Sequence, residues 1–525
     1  MANIDEFEKS FYNLKRQGTQ ASPKTVTLIV IAWEPKGKGE PALNRSELQQ
    51  LFFGPRDSVA SWFYEVSQGR YRLVPHPTHP VLGPFISKYW WPFYWRNDAS
   101  YVQKYLTNEE WERNPYKVPP SRESPHSYEI DGRVYYLDDE GYIGGHTHSW
   151  AEAIRQGAEV VDFSMFDRNN DKYLSPDEVL FMIVKAGPGR SAFGTRRSVT
   201  GSDVPRIDLK VNGVIVREVC ELYAGTPLES NDLAVASEEI LHLAANLADQ
   251  YPDYDPRYPE KTYFRYPNDP GRPGQLSLTD AGHRPVHVDP YHKLKWGWLN
   301  PQIADKSGTY HLQEATKTGD ALIVPSPIRD RKDEFFIIEN RWRGDSFDRY
   351  RHPNRGDGLA VWHCIEDIAL VSDWGRRAVH LRRADPRLDA NGHIRWEKAL
   401  FDGADPTRSY VLSDSSTPQH LRLRNNAPSG IVIQDISPAG PKMSLRVTLI
   451  THIEVEKYQP AWNHKYQSGI IVMLFKGGGF KQLNSLDYAT YMALLDQLRN
   501  EKPVYYDPNQ DLLLTRHELT GENEM

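Results

Sequence analysis

The 525-residue chain is 39% hydrophobic, 12% aromatic and 25% charged, with a formal net charge of −7. That profile excludes wholesale disorder, and the lack of a basic block argues against nucleic acid as a partner. Two cysteines, Cys220 and Cys364, are too few for a disulfide framework, so two buried thiols are expected.

The length suits two to four domains at roughly 100–200 residues each. The Met1–Lys9 opening lacks the apolar core of a Sec signal peptide. No apolar run approaches the ~18–20 residues that span a bilayer. The expectation is a soluble chain without a membrane span, cytoplasmic or exported by a non-classical route.

Residues 1–22 read as a polar tail. Thr25–Trp33 is a continuous apolar, β-branched run, the pattern of a buried strand. A helix is predicted near Ser58–Val66. The aromatic run Tyr89–Trp95 reads as a packed loop before it reads as a carbohydrate platform. A helix over Trp150–Val161 leads into an acidic loop and then a strand, Val179–Val184. A further helix spans about Asn231–Gln250. Beyond Asn300, short alternating runs such as Glu334–Glu339 and Gly358–His363 sit between Gly, Pro and Asp clusters, which predicts a β-rich domain over 301–450.

Residues 451–525 read as a small, separable α/β module. Gly469–Phe475 is a predicted strand, and the triplet Gly477–Gly479 is a turn. Tyr488, Tyr491, Met492, Leu495 and Leu498 share one helical face. Lys502–Tyr506 is a second predicted strand.

The sharpest local motif runs from Asp167 to Glu178. Oxygen-bearing side chains stand at Asp167, Asn169, Asp171, Ser175 and Glu178, and the Tyr173 carbonyl can join them. This spacing matches the 12-residue calcium loop, in which a hard cation gathers six to eight oxygens. Lys172 occupies the sixth position, where Gly usually permits the sharp turn. The second motif is Glu238-Glu239-Ile240-Leu241-His242. It has the form of the zinc-peptidase HExxH helix with Glu238 in place of the first His. Taken alone, an acid pair and one His on a helix is ordinary surface chemistry.

Further stretches place these motifs in a common context. Phe52-Phe53-Gly54-Pro55, Ser58-Val59 and Glu65-Val66-Ser67-Gln68-Gly69 open the series. Val161-Asp162-Phe163-Ser164 precedes the acidic loop, and Val286–Trp298, Glu334–Arg341 and Gly358–His363 follow in order. Over about Thr25 to Leu449 the chain resembles the M6, immune inhibitor A-like metallopeptidases. The resemblance implies an α+β fold with a zincin-like domain over 23–300. It also implies a structural calcium ion, catalytic Glu239, and zinc ligands at Glu238, His242 and Asp249. Glu238 replaces the family's His, Ala245 its Gly, Thr279 the Met of its Met-turn, and the segment around Asp249 carries one inserted residue.

These departures cluster in one site while the framework survives, as relaxed catalytic demand would leave it. The favoured reading is therefore a catalytically degenerate, calcium-stabilised scaffold for a protein partner. The alternative is an active zinc endopeptidase, in which water on zinc would attack the carbonyl of a peptide substrate, Glu239 would shuttle the proton and zinc would polarise the oxygen. A third reading is a hydrolase that uses Trp90–Trp95 on a non-peptide substrate. His146 and His148 precede a helix and are read as orienting its start, whereas His283, His287, His292 and His363 are read as framework residues.

Overall fold

The structure is a computed structural model that describes residues 23–36, 43–90, 127–130, 133–136, 145–186, 191–194, 209–224, 227–245, 273–281, 284–327, 334–351, 356–365, 379–385, 387, 395, 398–404, 410–414, 416, 420–423, 428–450, 453–475, 480–501, 503–507 and 512–515. It is a mixed α+β fold. None of its described helices is long and apolar enough to cross a membrane.

The predicted strand at Thr25–Trp33 lies within Lys24–Lys36 (β1). One edge of β1 pairs in parallel with Tyr71–Pro75 (β2) and then with Val81–Trp90 (β3). Its other edge pairs with Val179–Ala186 (β4). Ser191–Gly194 (β5) runs antiparallel at the far edge, beside Cys220–Ala224 (β6). Parallel strands covered on both faces need apolar residues throughout. Accordingly, Val26, Leu28 and Val30 face one core, and Ile29, Ile31 and Trp33 face the other.

The first core is covered by Arg45–Phe53 (α1), Val59–Val66 (α2) and Ser230–Ala245 (α4). The second is covered by Gly145–Ala158 (α3). Helix α2 begins where predicted because Ser58 and Ser61 form a reciprocal capping box. Such caps stabilise a helix start by about 1 kcal/mol. Helix α3 starts five residues before the expected Trp150 and ends at Ala158.

Two short helices, Leu278–Ala281 (α5) and Pro290–Lys295 (α6), lead into the β-rich region. Its main sheet orders Asn300–Ile303 (β7), Asp320–Pro325 (β8), Glu334–Arg341 (β9), Gly358–Ile365 (β10) and Val379–Arg382 (β11). A three-stranded sheet of Gly308–Gln313, Lys442–Leu449 and Ile431–Gln434 packs on one face. Tyr291, Leu294 and Leu299 pack on the other, so this core joins side chains from both sides of residue 300. Every residue of β9 and β10 is therefore buried. The alternation expected there is absent because neither face meets water.

The last strands form their own sheet, entirely antiparallel. They are Ile453–Asn463 (β12), Ser468–Phe475 (β13), Phe480–Leu486 (β14), Val504–Asp507 (β15) and Leu512–Thr515 (β16). Tyr488–Asn500 (α7) covers this sheet over a separate core. Tyr491, Leu495 and Leu498 enter that core, whereas Tyr488 and Met492 remain exposed. Gly477–Gly479 lie outside the described residues.

A buried polar network crosses the seam between the first sheet and the β-rich region. Arg341 on β9 donates to Asp348 at 2.6 and 2.7 Å, to Glu339 at 3.0 Å and to the Leu276 carbonyl at 2.9 Å. Trp362 donates to the same Glu339 at 3.0 Å. Arg351 donates to Asp357 at 2.7 Å. From α2, Glu65 accepts from the Phe347 amide at 2.7 Å and meets His287 Nε2 at 2.9 Å. Lys293 lies 3.4 Å from His287 Nδ1, so the Nε2–H tautomer satisfies both neighbours.

Burial alone would raise the Asp348 carboxyl, but Arg341 and Arg351 hold it well below the usual carboxylate range. Burial lowers His287, with Lys293 assisting and the Glu65 hydrogen bond opposing. Removing one member of a buried charge set leaves its partners uncompensated. Arg341→Met is expected to cost about 3–5 kcal/mol in urea unfolding, and adding Asp348→Asn should recover part of that loss. A cost under about 1 kcal/mol would show that the network is dispensable.

Both shifts predict acid sensitivity. A depressed carboxyl contributes stability above its unfolded pKa and loses it as pH falls. A histidine held neutral likewise contributes above its unfolded value near 6.5 and loses that contribution on acidification. Urea midpoints should therefore fall as pH drops below about 6.5 and fall further below about 4. His287→Gln should flatten the first limb. A midpoint unchanged between pH 7 and 5 would contradict this assignment.

Candidate metal-binding sites

The Asp167–Glu178 loop follows a short helical turn, Phe163–Phe166, which Asp162 caps. Asn170 and Lys172 adopt left-handed backbone, with φ of 59° and 64°. The loop thus makes its sharp turn at the sixth position without Gly. Lys172 N donates to Asp167 Oδ2 at 3.1 Å, and Asp171 N donates to Asn169 Oδ1 at 3.0 Å. Glu178 folds back over the loop, accepting from Arg168 N at 3.0 Å, Asn169 N at 3.3 Å and Ser175 Oγ at 2.9 Å. Burial works to raise the Glu178 carboxyl, but the bonds from Ser175, Arg168 and Asn169 outweigh it and hold the group low. Leu174 is buried, and Tyr173–Leu174 pairs with a neighbouring strand at Ile215–Val216.

The donor set suits a hard cation in type and order. Asp167 Oδ1 is buried and has no hydrogen-bond partner, which makes it an oxygen available to a ligand. Asn169 and Asp171 instead direct oxygens at the loop's own amides. Among the described residues, no three His, Cys, Asp or Glu side chains converge as a metal cluster.

Helix α4 carries the second candidate. Glu238 and His242 are buried and, four residues apart, share one face. Glu239 is half-buried on an adjacent face. The helix packs on β4, β5, β6, α2 and α5. Burial, then the Glu239 and Glu221 carboxylates, push the Cys220 thiol well above its ordinary value, which makes it a poor nucleophile. Asp249, the expected third ligand, lies outside the described residues. So do His283 and Trp91–Trp95, and the side chains of His146 and His148 are likewise outside the description.

Helix α5 brings Thr279 beside α4. Thr279 is fully buried, and its hydroxyl lies 3.2 Å from Ser277 Oγ. Ser277 donates to Asp289 at 3.3 Å, and Asp289 meets His292 Nδ1 at 2.8 Å. Thr279 therefore belongs to a buried chain of polar groups, a role that a Met could not fill. His292 and His287 act as framework residues, as does His363, which pairs with Glu334 at 2.9 Å.

Sequence reasoning missed one buried pair. Lys185 on β4 meets Glu221 on β6 at 2.5 Å, and Trp150 donates to the same carboxylate. Tyr223 and Trp33 place their rings 5.2 and 5.7 Å from the ammonium. The local signal was one Lys and one Glu within otherwise apolar runs, but their pairing depends on strand order. A separate cleft of about 800 Å³ lies along the seam, lined in part by Arg56, Tyr64, Glu65, Lys317 and Arg349.

No protein-family model matches the chain, and no curated protein matches it.

The left-handed backbone at Lys172 generates a direct prediction. A non-Gly residue there costs about 1–2 kcal/mol, and a β-branched one more. In EDTA, Lys172→Gly is expected to match or exceed the wild-type urea midpoint. Lys172→Val should be less stable than Lys172→Gly by at least about 1 kcal/mol. Equal midpoints for the two variants would contradict the turn geometry.

Proposed function

We propose that the chain is an M6-like, zincin-type scaffold that binds calcium in the Asp167–Glu178 loop and has lost peptidase chemistry. The observation that carries this reading is Thr279, locked in the buried Thr279–Ser277–Asp289 chain beside the helix that presents Glu238 and His242. The framework around a metal helix is intact in this reading, while its chemistry is replaced. With Glu238 and Asp249 both as ligands, zinc's charge would be formally neutralised, leaving little to acidify water. Calcium would be held by Asp167, Asn169, Asp171, the Tyr173 carbonyl, Ser175 and Glu178, joining the loop's two ends.

On this account the chain serves as a binding or assembly scaffold, with residues 451–525 as a docking module for a protein partner. The buried Glu238/His242 pair favours one alternative, an active zinc endopeptidase in which Glu239 serves as the proton relay.

Two variants separate these claims. Calcium should raise the wild-type melting temperature, EDTA should reverse the rise, and Glu178→Gln should abolish both effects. Ligand at a hundredfold its dissociation constant stabilises by about 2.7 kcal/mol. Identical wild-type melting with calcium and EDTA would rule the site out. Glu238→His with Thr279→Met should increase zinc uptake relative to wild type, at some cost in stability. Unchanged zinc uptake would sink the claim that these two positions weaken the site.

A further inference from the structure

The cleft along the seam lies between α2 and the β-rich region and shares no residue with either candidate metal site. It encloses about 800 Å³, within the ordinary range for a small-molecule pocket. Glu65, near the C-terminal end of α2, lines it. One oxygen of this carboxylate is committed. Oε1 accepts from the Phe347 amide at 2.7 Å and meets His287 Nε2 at 2.9 Å. Oε2 has no protein partner among the described residues, and the side chain is 26% exposed. A carboxylate held by one oxygen presents the other as an oriented acceptor.

Gln68 lines the same end of the cleft. Its Nε2 donates to the Glu65 and Thr316 carbonyls, both at 3.0 Å, which leaves Oε1 as a second acceptor. The bond to Thr316 ties the end of α2 to the short helix Ala315–Thr318. That helix carries Lys317, another lining residue. The Lys317 side chain is 46% exposed, and its Nζ lies 3.9 Å from Glu314 Oε2, too far for a hydrogen bond. Two oriented acceptors and one ammonium donor therefore stand on elements tied directly together.

The other end of the cleft is closed on itself. Arg349 is paired with Asp57 and also donates to the Asp345 and Ser346 carbonyls at 2.8 and 3.0 Å. Arg56 and Asp345, one charge of each sign, stand exposed along the same walls. Tyr64, 51% exposed, gives the wall an apolar surface.

We propose that this cleft binds a free apolar α-amino acid. The ammonium of the ligand donates to Glu65 Oε2 and Gln68 Oε1, its carboxylate accepts from Lys317, and its side chain lies against Tyr64. A ligand carrying only a cation would meet like charge at Lys317, and one carrying only an anion would meet it at Glu65. A zwitterion answers both groups with charge-assisted hydrogen bonds.

Isothermal titration calorimetry of the full chain in EDTA tests this without either metal, so its failure is separate from that of the calcium and zinc claims. L-leucine and L-phenylalanine should bind saturably at millimolar concentration. L-phenylalaninamide lacks the carboxylate and N-acetyl-L-phenylalanine lacks the ammonium. Each should bind more weakly by roughly tenfold or more, the loss expected for one charge-assisted hydrogen bond. Glu65→Gln keeps an oxygen for the Phe347 amide and His287 but turns an amide nitrogen to the cleft, so it should stay folded and lose binding. Lys317→Met, at a surface position, should fold as wild type and weaken L-leucine binding by a similar factor; it decides alone if the first variant does not fold. No saturable heat with either amino acid, equal binding of the amide or acetyl form, or wild-type affinity in either variant would overturn the proposal.

Discussion

Much of this molecule depends on where one guanidinium is buried. Arg341 is wholly inaccessible, and all three of its nitrogens are engaged by Asp348, Glu339 and the Leu276 carbonyl. A buried charge of this kind is tolerated only when its partners are in place. The Arg341 contacts therefore fix four chain segments at once: β9, the turn at Phe347–Tyr350, the Leu276 segment, and β10 through Trp362 and Glu339. Glu65 and His287 extend the constraint to α2 and to the approach to α6. Hydrophobic burial supplies most of the driving force, but it is not directional. The hydrogen-bonded charges fix orientation.

That constraint bears on helix α4, which carries Glu238 and His242. Leu276 immediately precedes Ser277 and α5, and Lys293 lies in α6, so the network holds both short helices. Between them run Thr279, Ser277, Asp289 and His292 in one buried polar chain. Helix α4 packs against α5. Glu238 and His242 thus sit in a frame fixed from the β-rich side. The Asp167–Glu178 loop is also self-supporting in one respect. Its turn is formed by backbone conformation at Asn170 and Lys172 and by hydrogen bonds from its own amides.

The parts legible in the sequence were those encoded locally. The strand within β1 was visible because both its faces are apolar. Helix α2 was visible because Ser58 caps it. The acidic loop was visible through its oxygen spacing, although Lys172 gave no sign that it would take up a left-handed turn. The burial of both faces of β9 and β10 was misread as alternation, since charged residues at Glu334, Glu339 and Arg341 interrupt an otherwise apolar run on both faces of β9. Those charges are buried because their partners come from distant segments. The same reason hid Lys185–Glu221, where pairing depends on strand order. At α7 the helical period was right, but one edge of the predicted face, Tyr488 and Met492, stays in solvent.

The central claim is that the metal helix persists without peptidase chemistry. Its most direct test is metal analysis of purified full-length protein, paired with a peptide-cleavage assay on wild type and Glu239→Gln. The account predicts less than stoichiometric zinc, retained calcium, and the same background cleavage in both proteins. Stoichiometric zinc together with cleavage abolished by Glu239→Gln would contradict it.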